Sequence, residues 1–223
     1  GRSASPLVNA STWALMLTGR VLDEGEGEGP ARALRRLVRR AGEPVVRTAV
    51  GQAMRILGRQ FVLGESIEAG MREARTLERK GYTHSYDMLG EAARTEADAE
   101  RYHEAYAQAI RAISAAATGD VRASPGISIK LSALHPRYEW THRETVMREL
   151  LPRARELARM AAAANIGLNV DAEEQDRLDL SLDVIEALAA DPETAGWDGL
   201  GVVVQAYGRR AAPLIEWLEE TAA

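Results

Sequence analysis

GISIKL, residues 126–131, decides how this chain folds. Ile127 and Ile129 make a short apolar run of the kind that strands favour, and the run closes on a lone cation, Lys130. Three other runs have the same form: YTHSYDML (82–89), IGLNVDAEE (166–174) and GLGVVVQAY (199–207), which carry Asp87, Asp171 and Gln205 at their ends. A helical stretch follows each of the four. Repeated strand–helix units of this kind predict an α/β fold, a parallel sheet covered by helices. The specific expectation is a partial (βα)8 TIM-like barrel of about four βα units. In such barrels the carboxyl ends of the strands line the active site. An acid, an amine, a second acid and an amide, far apart in sequence, are therefore expected at one rim.

Outward from the strands, the chain divides into three parts. Residues 1–30 read as an N-terminal arm and linker, with a short helix near Trp13 to Val21 and a glycine-rich acidic connector, DEGEGEGP (23–30). The glycines there lack the strand–turn–helix context of a dinucleotide fingerprint. Residues 31–81 read as an all-helical lead-in: one helix from Ala31, one behind Pro44, and one from Ser66 to Lys80 closed by Gly81. The cluster Arg32, Arg35, Arg36, Arg39 and Arg40 reads as a solvated helix face. Residues 82–223 hold the barrel half, with strands expected over 82–89, 127–131, 166–171 and 201–206. Helices are expected over 94–117, 142–164, 175–190 and 211–222.

Bulk composition narrows the function classes. The chain has 223 residues, 46% hydrophobic and 27% charged, enough for one sizeable core. Its net charge of −5 supplies no global attraction to nucleic acid, and no nucleic-acid partner is expected from this segment. With no cysteine it can hold neither disulfides nor thiolate metal sites. His84, His103, His135 and His142 show no metal-ligand spacing, so no metal is expected. No GxSxG elbow, P-loop or zincin motif is present.

Lys130 is the most informative of the rim residues. Among apolar neighbours an ammonium is costly unless it is paired or does work. It can pair with Asp87 or Asp171, bind a substrate carboxylate, or form a Schiff base if its pKa is lowered. Asp87, from its position alone, reads equally as structural or functional. Asp171 ends its strand and is the better catalytic candidate, whereas Glu173, Glu174 and Asp176 read as charges at the start of a helix. Gln205 offers an amide that both donates and accepts, which suits a heterocycle. Trp140, Trp197 and Trp217 read as packing residues. On these residues alone, a flavoenzyme and a Schiff-base aldolase or lyase using Lys130 stand level, and a non-catalytic interaction fragment is a third reading.

Five stretches carry a closer resemblance: WALMLTGRVLD (13–23), SYDMLGEAA (85–93), GISIKLSALHPRY (126–138), NVDAEEQDRLDLSLDVIEAL (169–188) and GWDGLGVVVQAYGRR (196–210). Together they resemble the proline dehydrogenase domain of the proline utilization A family of bifunctional flavoenzymes, in order and over nearly the whole chain. The resemblance implies FAD-dependent oxidation of L-proline to Δ1-pyrroline-5-carboxylate, with membrane quinone as electron acceptor. It also implies a cytoplasmic protein at or near the inner membrane. It places Lys130 and Asp87 in the substrate site, makes Asp171 and Lys130 the catalytic pair, and sets Asp171, Ala172 and Gln205 at the flavin. NAD would belong only to an aldehyde dehydrogenase domain that this sequence does not contain. Later barrel strands and a paired-arginine helix of the family are also missing. The chain by itself is therefore expected to be inactive, to bind FAD poorly, and to associate, as a homo-oligomer or otherwise, through an open strand edge and an uncovered apolar interior. A ribbon-helix-helix DNA-binding module of some relatives is not visible in it.

Overall fold

The computed structural model describes residues 61–222 and, before them, residues 48, 50–52, 54, 55 and 58. The chain forms two compact units, 1–65 and 66–223. Within the first, residues 48, 50–52, 54 and 55 are helical, in the stretch expected to form a helix behind Pro44. The arm helix, the acidic connector and the arginine-rich helix expected from the sequence lie outside the described residues.

The second unit opens at Ser66, whose side chain accepts a hydrogen bond from the Ala69 amide (3.3 Å) and so caps α1, Ile67–Glu78. This helix, assigned from sequence to the lead-in, packs instead with the sheet-bearing unit, against the helix that follows the first strand. It ends on Arg79, before Gly81; that glycine, at φ 89°, forms the turn beyond. The remaining order is β1 (Ser85–Asp87), α2 (Glu96–Ser114), β2 (Gly126–Ile129), α3 (Arg143–Ala164), β3 (Leu168–Val170), α4 (Leu178–Ala189), β4 (Leu200–Val202) and α5 (Ala211–Ala222).

Local chemistry explains where these elements start and stop. Thr95 and Asp98 form a reciprocal capping box at the head of α2: the Asp98 amide donates to the Thr95 hydroxyl (3.1 Å) and the Thr95 amide to the Asp98 carboxylate (3.0 Å). Asn165, at φ 49°, takes the left-handed position that ends α3 and turns the chain into β3. The helices bury residues at three- and four-residue spacing, Tyr106, Ile110 and Ile113 in α2 and Val146, Leu150, Ala154 and Leu157 in α3.

All four strands run parallel in the order β1-β2-β3-β4, each joined to the next through a helix. Ile127, Ile129, Leu168 and Val170 share one core with α2, α3 and α4. Full burial of such side chains is worth about 1.5–3 kcal/mol each. Alternate residues point the other way, and here an expectation fails. Asp87, Ser128, Asn169 and Gly201 are aligned across the four strands by the register. The Asn169 amide donates to the Ser85 hydroxyl (3.2 Å), which in turn lies 3.2 Å from the Ser128 hydroxyl. The face away from the helices is polar and internally hydrogen-bonded, rather than an uncovered apolar interior.

The tryptophans divide by position. Trp197 donates its indole N–H to the Ile166 carbonyl (3.2 Å), and Trp217 packs against the core. Trp140 does not pack inside; it is half exposed beneath the Arg143 guanidinium, 5.9 Å from its ring centre.

The polar face constrains its own edge. A β-carbon at Gly201 would collide with the Asn169 side-chain oxygen. Gly201→Ala should therefore push Asn169 off Ser85 and destabilise the unit by about 1–3 kcal/mol in a urea titration. Adding Asn169→Ala should recover part of that loss; strict additivity of the two changes would refute the contact.

Candidate active site

At the carboxyl end of β2 the chain leaves the ladder at Lys130, whose backbone N–H donates to the Tyr106 hydroxyl (3.1 Å) from α2. Burial pushes the Tyr106 phenol well above its ordinary range, so it stays protonated. The backbone of Lys130 is thereby fixed from the helix side, and its side chain emerges on the polar face.

The Lys130 ammonium meets three carboxylates. Its Nζ lies 3.0 Å from Asp87 Oδ1 at the end of β1, 2.8 Å from Glu91 Oε1 in the following loop, and 2.9 Å from Asp171 Oδ2 just past β3. Burial disfavours the charged amine, but the hydrogen bonds to Glu91, Asp171 and Asp87 outweigh it and hold the ammonium well above the usual lysine range. An ammonium has three protons, and three acceptors take them. The acids differ in shelter: the Glu91 side chain is 2% exposed and that of Asp87 38%. Three carboxyl groups thus converge on one ammonium.

The structure brings Lys130, Asp87 and Asp171 together as the strand-end argument expects. Gln205 and Ala172 stand with Lys130 on a cavity of about 660 Å³ that His135, Tyr138 and Arg177 also line. Among the described residues the Gln205 side chain makes one long contact, accepting from the Gln175 amide at 3.5 Å. Among the described residues no cluster could hold a metal ion.

Two residues escaped the sequence reading. Glu91 sits in a loop, with no periodicity to mark it; its one signal is a lone acid four residues beyond the strand-end Asp87. Glu173 was read as a helix-terminal charge, and the structure corrects this. α4 begins only at Leu178, after a 3-10 turn over Gln175–Arg177, and Glu173 instead accepts the Ser132 backbone N–H (3.0 Å).

The parallel βα sheet gathers an amine and three acids at its strand ends, beside the cavity, where barrels of this kind carry their active sites. Residues 70–223 match the family described as Proline dehydrogenase, and residues 1–61 match that described as DNA-binding domain of Proline dehydrogenase. The chain belongs to the proline dehydrogenase family. The second match runs against the expectation that this segment has no nucleic-acid module. The chain is 50% identical over 223 residues to the bifunctional protein PutA of Salmonella typhimurium, covering all of this chain and 17% of that protein. It is 26% identical over 158 residues to proline dehydrogenase 1 of Bacillus subtilis, covering 71% of this chain and 47% of the relative. A crystal structure of bifunctional proline utilization A aligns at TM-score 0.68 and 52% identity over 84% of this chain and 19% of that one. The proline utilization A of Bdellovibrio bacteriovorus inactivated by N-propargylglycine shares the fold at TM-score 0.75 and 21% identity, over 96% of this chain and 23% of that one. The chain thus spans about a sixth of the length of the PutA relatives.

The raised ammonium sets a sign that can be measured. A pKa above the ordinary 10.5 means the cluster's stabilisation is complete below that pH and is lost only as pH rises past the folded value. The chain has two lysines, Lys130 and the exposed Lys80. Reductive methylation at pH 9, read by peptide mass spectrometry, should modify Lys80 at least about ten-fold faster, the change one pK unit makes to the neutral amine. Equal rates would refute the cluster.

Proposed function

We propose that this chain supplies the proline-binding rim of an enzyme that oxidises L-proline to Δ1-pyrroline-5-carboxylate with FAD. The observation that carries the reading is the Lys130 ammonium shared by Asp87, Glu91 and Asp171, at a cavity lined by Ala172 and Gln205, in a chain of the proline dehydrogenase family.

The residues present fit a flavin. Gln205 is loosely engaged and offers both a donor and an acceptor to a heterocycle edge, and Ala172 lines the same cavity. Bound there, FAD would supply the two-electron acceptor. The chain's own residues do the rest. Lys130 holds the acids in place and stays charged throughout. The carboxyl groups face the ring amine of the substrate and favour its cationic form before oxidation. The ring nitrogen first gives up one proton to become the neutral amine, and a hydride then leaves the ring carbon beside it, so that a protonated C=N bond forms. Asp171, anchored by its backbone N–H to the Ile129 carbonyl (2.9 Å), keeps a carboxylate fixed where that proton leaves.

Because all three Lys130 protons are engaged, a substrate carboxylate reaches the ammonium only by displacing an acid. Asp87, the most exposed of the three, is the one that yields. Membrane quinone as final acceptor and a place in the cytoplasm beside the inner membrane are further parts of this proposal. A Schiff-base lyase is the weaker alternative, since an amine held protonated by three carboxylates is a poor nucleophile.

In the full-length protein, Lys130→Met should lower kcat/KM for proline-dependent dye reduction by about a hundred-fold, the scale of losing a charge-assisted contact. Flavin content should change little. Unchanged turnover, or trapping of a carbonyl substrate on Lys130 by borohydride, would overturn the proposal.

A further inference from the structure

We propose that Glu173 is a positioning residue: it ties the loops after β1, β2 and β3 into one body and so sets Glu91 against Lys130. The inference rests on the reading of the Lys130 cluster as the substrate site, and deepens it.

The connection can be followed atom by atom. The Glu173 side chain, 8% exposed, belongs to the loop after β3 and accepts the Ser132 N–H (3.0 Å) with one oxygen. Its second oxygen faces Arg177, 3.6 Å away. Arg177 lies over the Tyr138 ring, 5.7 Å from its centre, and the Tyr138 hydroxyl is hydrogen-bonded to Ser181 of α4 (2.7 Å). Glu173 is thus held from behind by α4. On the far edge of the same peptide chain, the Ser132 carbonyl accepts the Ala93 N–H (3.0 Å). Ala93 stands two residues from Glu91, which bonds the Lys130 ammonium at 2.8 Å. Lys130 itself stands two residues before Ser132.

Ser132 is therefore the hub. Its N–H is taken by Glu173 and its C=O by the loop that carries Glu91. A nearly buried carboxylate that loses such a partner pays the desolvation of both groups, so the bond is strongly specified. Removing it frees the β2 loop to shift and lets Glu91 retreat from the ammonium. Asp87 and Asp171 have anchors of their own, Asp87 within β1 and Asp171 through its backbone N–H to the Ile129 carbonyl (2.9 Å).

The test reads Lys130 directly in the full-length protein, by peptide-resolved reductive methylation with Lys80 as internal reference. Glu173→Ala should raise the Lys130 to Lys80 rate ratio by about ten-fold, as one pK unit would. Glu173→Gln keeps an oxygen within reach of the Ser132 N–H and should restore the ratio to within two-fold of the parent (about 0.3 pK units). Glu173→Asp keeps the charge but shortens the reach by one methylene, and should behave like the alanine variant. If the alanine variant does not fold, the contrast between Asp and Gln decides the matter. An unchanged ratio in the Ala and Asp variants, or a Gln variant that fails like Ala, would overturn the proposal. The readout does not depend on proline turnover, so loss of the proposed activity and loss of this positioning role are told apart.

Discussion

One ammonium shared among three carboxylates is the constraint on which the rest of the rim depends. Asp87 and Glu91 come from the connection that leaves β1 and Asp171 from the one that leaves β3, and without Lys130 they would repel one another across a short gap. A cation among them turns mutual repulsion into a fixed arrangement. Because β1, β2 and β3 are adjacent and parallel, all three strand ends arrive at one level, and only there can one side chain reach every acid. The fold makes the cluster possible, and the cluster in turn pins the loops that leave the sheet.

Polarity on the face away from the helices belongs to the same design. Ser85, Ser128 and Asn169 satisfy one another beneath the rim, so the sheet can present polar side chains inward without leaving them unpaired. An apolar inner face would have surrounded Lys130 and its acids with hydrocarbon, raising the cost of four charges in one place. A hydrogen-bonded floor lowers that cost. Gly201 completes it by leaving room for the Asn169 amide.

Much of this is legible in the residues themselves, for physical reasons. Apolar runs that end on one polar residue read as strands feeding an active rim, and Asp87, Lys130 and Asp171 do converge there. Ser66 reads as a helix start because its hydroxyl has few better uses than capping, and Thr95 caps α2 in the same way. What stayed hidden depends on tertiary placement. Glu91 lies in a loop without period, and no local rule distinguishes a loop acid in solvent from one buried against an ammonium. Glu173 precedes a helical stretch, where an acid has a sufficient local explanation; its actual partner, Ser132, is far away in sequence. The polar face was masked because the strands are three or four residues long, too short for alternation to stand out against their apolar neighbours.

The charge state of Lys130 also separates the possible chemistries. A lysine that works as a nucleophile must spend time as a free amine, and barrels that use one surround it with apolar groups or other cations. This lysine is surrounded by acids, each of which favours its protonated form. In the proposed reaction its contribution is therefore electrostatic and constant: it neither gives up nor takes a proton, and it leaves proton transfer to the carboxylates it holds. That division of labour suits an oxidation in which a bound redox group takes the hydride and the protein has only to orient the ring, offset charge and keep one acid where a proton departs.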